Sequence, residues 1–405
     1  MDIFNKIKPR KIINNELPNS VWSVLASPGE NLLTSVNISF HSQKNNLFLL
    51  LTTTDDKLFL KAQKYYPETV LFSFSDDEKF NYSGFDKPRY FNQISITNLT
   101  PKTNYIYKII GDNIQSLYKF STPCLNELTF LLVADPQYYN YETSKHFNQL
   151  ISKARQLYKK TTLAIFTGDV IDRGGRSQEW DLFFTKSNIK TLTCALAVGN
   201  HEYYDDTPIP RTVGPEFFNL HTYNPQNGIL PNTNYYFHYQ NVLFVILNTE
   251  VHVSDMEKQA YWFNEITSKS QYDFLIVIGH KSFFGNQYYD QYPEPREQWM
   301  MLFKEKRVDI YFSGHDHVYT KTLFNNTYFI TGGAAGKKTY PYHLNPPYNS
   351  NNKYHNLYYD LRYMAPHKDI YGIISVVNIK GNTLVLQTIN YEGQELDCLE
   401  IIKRI

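Results

Sequence analysis

Several Asp, Asn and His residues of this sequence stand where apolar runs end, a position suited to binding ligands. Carboxylate oxygens and imidazole nitrogens together suit zinc, manganese or iron, whereas an all-oxygen set indicates magnesium or calcium. Two such ions about 3.5–4 Å apart clamp both ends of an in-line displacement at phosphorus and lower the pKa of a bound water. The sequence therefore predicts a metal centre. The candidate ligands at the ends of apolar runs are Asp135, Asp169, Asn200, His280 and His315.

The elements that must position these residues are buried strands, some of them separated by helices. From Leu128 onward, runs such as LTFLLVAD, TTLAIFTGD and DFLIVIGH are almost continuously apolar, and HFNQLISKARQLYKK and DMEKQAYWFNEITSK are typical of helices. Such strands indicate an α/β domain built on a largely buried sheet. Because open α/β sheets bind ligands at the carboxyl ends of their strands, we expect the candidate ligands to meet at one edge.

The segment from about Val21 to Thr122 has a different pattern. Seven short β-rich runs separated by turn residues predict a small antiparallel β-sandwich. The runs are SVNISF, NLFLLLTTT, KLFLKA, TVLFSF, FNQISI, NYIYKII and LYKFSTP. Nearer the other end, residues 337–361 are rich in Asn, Tyr and Pro and predict a long surface loop.

Composition limits the classes of function. A length of 405 residues favours two domains. Forty Lys and Arg balance 39 Asp and Glu, and a net charge of +1 gives no overall field for nucleic acid or an anionic membrane. The three cysteines are too few and too far apart for a disulfide framework or a cysteine metal site. No apolar stretch has the length of a signal peptide or a membrane span, so we expect a soluble, cytoplasmic protein.

Five short motifs resemble, in the same order, those of the calcineurin-like metallophosphoesterases, and most closely the purple acid phosphatase branch. The β-rich N-terminal part is similar to the fibronectin-III-like domain of that branch, through ITNLTPKTNYIYKI and FSTP. The resemblance implies a four-layer α/β/β/α sandwich over 125–405, preceded by a small all-β sandwich domain over 21–124 and an extension over 1–20. The motifs are VADPQ at Asp135, FTGDVID at Asp169, VGNHEYY at Asn200, VIGHKSFF at His280 and FSGHDHVY at His315.

The resemblance also implies a role for each of these residues. Asp169 would bridge two metal ions, with Asp135 and His317 on the first ion. His201 would contact the substrate or protonate the leaving oxygen, a role that suits imidazole near neutral pH. The ligands of the second ion would be Asn200, His280 and His315.

Three positions need separate consideration. Asp172 stands where the purple phosphatases have an iron-binding Tyr, which argues against a coloured ferric site. Gln137 stands where relatives have Gly or His, and its amide oxygen is a weaker ligand than imidazole. Arg173 in GDVIDRGG resembles the phosphate-binding Arg of the Ser/Thr protein phosphatases, and a guanidinium fork fits a phosphate. The segment FFGNQYYDQYPEPREQWM lacks the extra substrate-facing histidines of purple phosphatases, and the candidates to replace them are Tyr288, Tyr289 and Arg296.

Each of these residues also has an ordinary structural interpretation. A single Asp or His at a strand end is usually a turn or capping residue, but six residues in one ordered template argue against coincidence. His201 would otherwise orient a ligand, a role that we also expect of Glu202. Asp316, between two ligands, is expected to point away from the metals. Arg173 would otherwise be an ordinary solvated or ion-paired arginine.

Together these features predict a dinuclear metal-dependent phosphoesterase, of the acid phosphatase type, that acts on small phosphate esters. The leading hypothesis is phosphomonoester hydrolysis by a metal-bound hydroxide, with His201 and Arg173 stabilising charge. One alternative is a phosphodiesterase on the same core, and the other is a binding or adhesion protein with weak or lost catalysis. We expect no nucleic-acid or membrane partner. The choice among iron, zinc and manganese and the oligomeric state stay open.

Overall fold

A computed structural model of the chain describes residues 21–72, 89–111, 114–205, 212, 214–288, 290–340 and 372–403. The expected extension over 1–20 and nearly all of the expected loop over 337–361 lie outside the described residues. Among the helices of the described part, none combines the length and the apolar character that crossing a membrane requires.

The first eight strands form two antiparallel sheets that pack face to face. Their bounds are β1 Trp22–Pro28, β2 Val36–Ser42, β3 Phe48–Thr53, β4 Gln63–Tyr65, β5 Glu68–Phe72, β6 Arg89–Ile96, β7 Asn104–Gly111 and β8 Ile114–Ser121. The strand orders are β1-β2-β6-β5 and β4-β3-β7-β8. Apolar residues of both sheets, among them Phe40, Leu49 and Ile109, form one buried core. The predicted β-sandwich is confirmed.

Two details of the sandwich differ from the prediction. KLFLKA over 57–62 is a turn, in which the backbone amides of Leu60 and Lys61 donate to the Asp56 carboxylate. Such local side-chain bonds compete with strand pairing. No strand is predicted for β1, because WSVLASP is buried on both faces and has no alternating pattern.

The remaining strands form two six-stranded sheets. Their bounds are β9 Glu127–Val133, β10 Thr161–Phe166, β11 Thr193–Leu196, β12 Tyr235–Tyr239, β13 Val242–Ile246, β14 Phe274–Ile278, β15 Ile310–Ser313, β16 Tyr319–Phe324, β17 Thr327–Gly332, β18 Ile373–Lys380, β19 Thr383–Asn390 and β20 Glu395–Ile402. The orders are β11-β10-β9-β18-β19-β20 and β12-β13-β14-β15-β17-β16. Strands β9, β10 and β11 are mutually parallel, and so are β13, β14, β15 and β17. The unbroken apolar runs of the sequence are these parallel strands.

Helices cover the outer faces of the two sheets. Their bounds are α1 Tyr141–Leu157, α2 Ser177–Lys186, α3 Glu216–Asn219, α4 Val253–Lys269 and α5 Arg296–Lys306. Phe147 of α1 and Phe183 of α2 pack in the core outside the first sheet, and Phe263 of α4 and Phe303 of α5 pack outside the second. A third core fills the space between the sheets. The chain from β9 onward is therefore the expected four-layer α/β/β/α sandwich.

Strand β1 joins the two parts of the molecule. Ala26 belongs to the core of the β-sandwich, whereas the neighbouring Leu25 belongs to the core that α1 and α2 form with the first six-stranded sheet. Beyond the strand, the N–H of Leu32 donates to the carbonyl of His238, and the N–H of His238 donates to the carbonyl of Glu30. The two parts thus share both apolar packing and backbone hydrogen bonds.

Four polar side chains form a buried latch between the β-sandwich and α2. The Arg89 guanidinium donates to both carboxylate oxygens of Asp181, at 3.0 and 2.9 Å, and lies 3.1 Å from Nδ1 of His41. The His41 ring is 4.5 Å from the ring of His221. Although His41, Asp181 and His221 are close enough to hold a metal ion, His41 and Asp181 contact a different cation, the Arg89 guanidinium.

The latch makes the protein sensitive to acid. Burial, followed by the nearby Arg89 cation, lowers the pKa of His221 to about 3, and burial lowers the pKa of His41 in the same direction. The unfolded chain takes up these protons below about pH 6.5, whereas the folded protein does not. The stability contributed by neutral His221 is therefore full above pH 6.5 and falls as the pH drops, by about 2 kcal/mol at pH 5, and neutral His41 acts in the same direction.

We expect His221→Phe, which keeps a ring against Trp180, to reduce the loss of unfolding free energy between pH 7 and pH 5 by about 2 kcal/mol. Urea unfolding at the two pH values measures the loss. The matched control is His252→Asn, which removes an exposed histidine but keeps an N-cap for α4. An identical loss in wild type and His221→Phe would contradict the role of the latch.

Candidate metal centre

The carboxyl ends of five parallel strands lie close together in space. Asp135, Asp169 and Asn200 follow β9, β10 and β11 of the first sheet, and His280 and His315 follow β14 and β15 of the second. Because parallel strands of one sheet end at the same edge, and the two sheets are stacked, these residues converge, as the sequence predicted.

Two groups of possible ligand atoms share one carboxylate. The atoms of Asp169, His280 and His315 lie within 4.8 Å of one another, and so do those of Asp135, Asp169 and His317. A carboxylate common to both groups is the arrangement that a bridged pair of metal ions requires. The grouping matches the one that the resemblance implies.

Asn200 completes the second group. Its Oδ1 lies 3.0 Å from Nε2 of His280 and 2.9 Å from Nδ1 of His315. Its Nδ2 donates to the hydroxyl of Tyr204 at 2.9 Å, which turns the amide oxygen towards the histidines. The donor set is then two carboxylates, one amide oxygen and three imidazoles. Such a mixed nitrogen and oxygen set fits zinc, manganese or iron.

Backbone carbonyls orient two of the histidines. Nδ1 of His280 lies 2.9 Å from the carbonyl oxygen of Thr167, and Nδ1 of His317 lies 2.7 Å from that of Lys338. Since a carbonyl only accepts, each Nδ1 carries hydrogen and each Nε2 faces the centre. The hydrogen bond from Nδ1 to the carbonyl therefore fixes the tautomer in which Nε2 is free to bind a metal ion.

His315 is turned the opposite way. Its Nδ1 faces Asn200, and its Nε2 lies 2.9 Å from Oε1 of Gln291. The ring of Tyr288 covers it at a centroid distance of 4.5 Å, and the Tyr288 hydroxyl lies 3.1 Å from that of Tyr340. The segment in which the sequence places substitutes for the missing histidines therefore does reach the centre, through Tyr288 and Gln291.

Unusual backbone conformations aim the side chains inward. Five non-glycine residues of the centre have φ between +41° and +72°, a region that costs such residues about 1–3 kcal/mol each. Conformations of this kind persist only where the surrounding structure enforces them. The five residues are Asp135, Gln137, Asp169, His315 and His317.

Glycines allow the ligand loops to approach one another. A Cβ on Gly168, which has φ +97°, would lie 2.7 Å from the Gly199 nitrogen and 2.8 Å from Nδ1 of His280. A Cβ on Gly314 would overlap the carboxylate of Asp135. Gly168, which precedes Asp169, and Gly314, which precedes His315, therefore stand where a larger side chain would clash.

Glu202 fixes the loop that carries the shared carboxylate. Its Oε2 accepts from the N–H groups of Asp169 and Gly199 at 2.8 and 2.7 Å, and its Oε1 accepts from that of Val170 at 2.8 Å. The N–H of His201 in turn donates to Oδ1 of Asp169 at 2.9 Å. The orienting role expected of Glu202 thus has a direct geometric basis.

The buried charges of the centre are strongly coupled. Burial raises the pKa of Asp135, and the nearby Asp169 carboxylate acts in the same direction. Burial also raises the pKa of Asp169, but His280 and His201 lower it by more, so the net direction is down. The pKa of His280 is raised, although burial opposes it, because Asp169 lies 3.3 Å away. Metal binding at this pair must therefore displace a proton from His280.

His201 faces the shared carboxylate. Its Nδ1 lies 2.6 Å from the carbonyl oxygen of Asp172, and its Nε2 lies 3.7 Å from Oδ2 of Asp169. The amide nitrogen of Gln137 lies 2.9 Å from this Nε2 and 3.5 Å from the same Asp169 oxygen. Gln137 therefore stands between His201 and Asp169 as a donor, whereas the sequence suggested an oxygen ligand.

Arg173 is joined to this arrangement through Asp172. Its Nε lies 3.8 Å from Oδ2 of Asp172, whose other oxygen lies 3.9 Å from Nδ1 of His201. Glu179 in α2 accepts from the N–H groups of Asp172 and Arg173 at 3.0 and 2.8 Å. Sequence reasoning missed Glu179, because a glutamate inside a helix carries no motif that indicates a contact with this loop.

The remaining candidates have other contacts. Asp316 accepts from the backbone N–H groups of Asn286 and Tyr288 and so holds the loop that covers the centre. Its carboxylate thus points away from the metal ligands, as predicted. The Arg296 guanidinium packs on two aromatic rings, at 4.7 and 4.4 Å from their centroids. Tyr289 lies outside the described residues.

Comparisons with known proteins show what the chain as a whole is similar to. Residues 128–319 match the sequence model of the calcineurin-like phosphoesterase family. A purple acid phosphatase of Glycine max is 22% identical over 354 residues, in an alignment that covers 81% of this chain and 74% of the relative. The structure of purple acid phosphatase PPD1 from yellow lupin (Lupinus luteus) seeds superposes with a TM-score of 0.76 at 16% identity, covering 95% of this chain and 75% of that one. The resemblance and the fold inferred from the motifs are confirmed.

We expect Glu202→Gln to weaken metal binding by roughly 10–100-fold, because the amide nitrogen of Gln faces backbone donors that need an acceptor. Metal content per chain after dialysis against a graded chelator measures the change. Glu257→Gln, on the exposed face of α4, is the matched control and should retain wild-type content. Equal metal content in both variants would contradict the role assigned to Glu202.

Proposed function

We propose that this chain, which carries a calcineurin-like phosphoesterase domain and is a metal-dependent phosphoric ester hydrolase, cleaves phosphomonoesters at the centre built around Asp169. The observation that carries the proposal is the pair of ligand groups that share this carboxylate. The likeness to the purple acid phosphatase of Glycine max favours monoesters over diesters.

The residues present fit two metal ions, and the chemistry follows from that fit. Asp135 and His317 would hold the first ion, Asn200, His280 and His315 the second, and Asp169 both. If bound there, the ions would lower the pKa of a water to supply a nucleophile and would polarise the phosphate. No covalent bond between protein and phosphate is required.

His201 is the side chain placed to protonate the leaving group. His201 presents Nε2 towards Asp169, and its ring is held by the Asp172 carbonyl. In this position the imidazole can deliver a proton from Nε2 to a leaving oxygen. When Nε2 carries that proton, the Gln137 amide would present its oxygen to the ring in place of the nitrogen that now lies 2.9 Å away.

Arg173 is the candidate for contacting the non-bridging oxygens of the phosphate. Its side chain is 17% exposed and lies on the same loop as Asp169. Arg173 also has a second role. Its guanidinium lies beside the carboxylate of Asp172 and stabilises that residue, whose carbonyl holds the His201 ring.

We expect Asp169→Asn and His315→Ala each to lower the turnover of p-nitrophenyl phosphate by about 10³-fold or more, since each removes a ligand on which transition-state stabilisation depends. The far-ultraviolet circular dichroism spectrum should be unchanged. Asp255→Asn, which changes a partly exposed carboxylate in α4, is the control and should keep full activity. Full turnover by a metal-free preparation would refute the mechanism.

Rates on p-nitrophenyl phosphate and bis-p-nitrophenyl phosphate separate the monoesterase from the diesterase. A higher kcat/KM on the monoester is expected. A higher value on the diester would keep the metal centre and overturn the proposed substrate class. At most one metal equivalent per chain and no turnover of either ester would favour the binding or adhesion protein.

A further inference from the structure

A cationic surface lies at the edge of the first six-stranded sheet that is opposite to the metal centre. It consists of two neighbouring clefts, of about 510 and 630 Å³, which have Arg155, Lys159 and Thr191 in common. Thr161, the first residue of β10, lines the larger cleft, whereas Asp169 follows the end of the same strand. A six-residue strand spans about 20 Å, so the clefts are well separated from the metal ligands.

The cations of the clefts greatly outnumber the carboxylates. Glu127 lines the larger cleft and pairs with Lys160 at 2.6 Å. Across the described parts of the chain, no other carboxylate lies within 4.0 Å of a cation of this surface. The cations without such a partner are Lys102, Lys119, Arg155, Lys159, Lys186 and Lys190.

Stabilisation of helices explains only part of this charge. Arg155 and Lys186 lie in the last turns of α1 and α2, where cations offset the helix dipole. Lys102 and Lys119 belong instead to the β-sandwich and line the larger cleft together with residues of the other domain. Two domains therefore contribute positive charge to one concavity.

The positive charges also crowd one another. The Arg155 guanidinium donates to two neutral oxygens, the Asn188 carbonyl at 3.2 Å and the Thr191 hydroxyl at 2.7 Å. Although the Lys190 side chain is largely exposed, partial desolvation, followed by the neighbouring Lys186 charge, lowers its pKa. Repulsion of this kind is relieved when an anion binds between the cations.

We propose that the two clefts bind one soluble anion that carries several phosphate groups, of the kind represented by linear polyphosphate. Guanidinium, ammonium and hydroxyl donors together suit phosphate oxygens. Because the cations line concave walls, they favour a soluble ligand over a flat membrane surface. Tyr105 and Phe120, the aromatic residues that line the larger cleft, are buried and offer no face on which nucleic-acid bases could stack.

The test measures binding of short-chain linear polyphosphate to the full chain by isothermal titration calorimetry. The variants compared all keep the metal centre, so binding there is common to them. The variant Arg155→Gln/Lys159→Gln/Lys190→Gln should bind about tenfold more weakly or worse, and with a smaller dependence on salt. Turnover of p-nitrophenyl phosphate should be unchanged, so failure here is distinct from failure of the proposed function. Should the triple variant fail to fold, Lys159→Gln/Lys190→Gln changes only exposed side chains.

A matched control removes the same charge from the opposite helical layer. Lys258→Gln/Lys269→Gln/Lys304→Gln alters three exposed lysines of α4 and α5 and should bind polyphosphate like wild type. Equal affinity of the cleft and control variants would overturn the proposal. It would also be overturned if anionic lipid vesicles or oligothymidylate bound to these cations more tightly than polyphosphate does.

Discussion

The centre depends on the placement of one buried carboxylate, Asp169. An isolated carboxylate in such a position is costly to bury. Here the cost is offset by the imidazoles of His280 and His201, by the N–H of His201 and by the donors that Glu202 organises around the same loop. The left-handed backbone at Asp169 is held by these contacts. Because Asp169 belongs to both ligand groups, its position affects the geometry of each.

Much of this arrangement could be predicted because it is local in sequence. Each ligand closes an apolar strand within a short motif, and parallel strands bring such residues together whatever the rest of the fold does. Contacts made across the chain leave no such pattern. Glu179 and Gln291 are ordinary residues of a helix and a loop, and only the folded chain shows what they contact. The direction of the Gln137 amide likewise depends on where His201 lies.

Periodicity and composition each missed one feature of the fold. Strand β1 was missed because it is buried on both faces, which removes the alternation that marks a strand at a surface. The balanced net charge of +1 suggested no attraction for polyanions. It is an average over a molecule that buries carboxylates at one edge of a sheet and gathers cations at the other, and an average cannot report such segregation.

The position of Leu25 has a consequence for how the chain is made. Ribosomes release the β-sandwich first, yet the core into which Leu25 packs includes residues of α2 and β11, more than 150 positions later in the sequence. At about 5–20 residues per second, this apolar side chain stays exposed for roughly 10–30 seconds of synthesis. Chaperones that bind nascent apolar segments would therefore be expected to bind strand β1, which packs against both parts of the folded molecule.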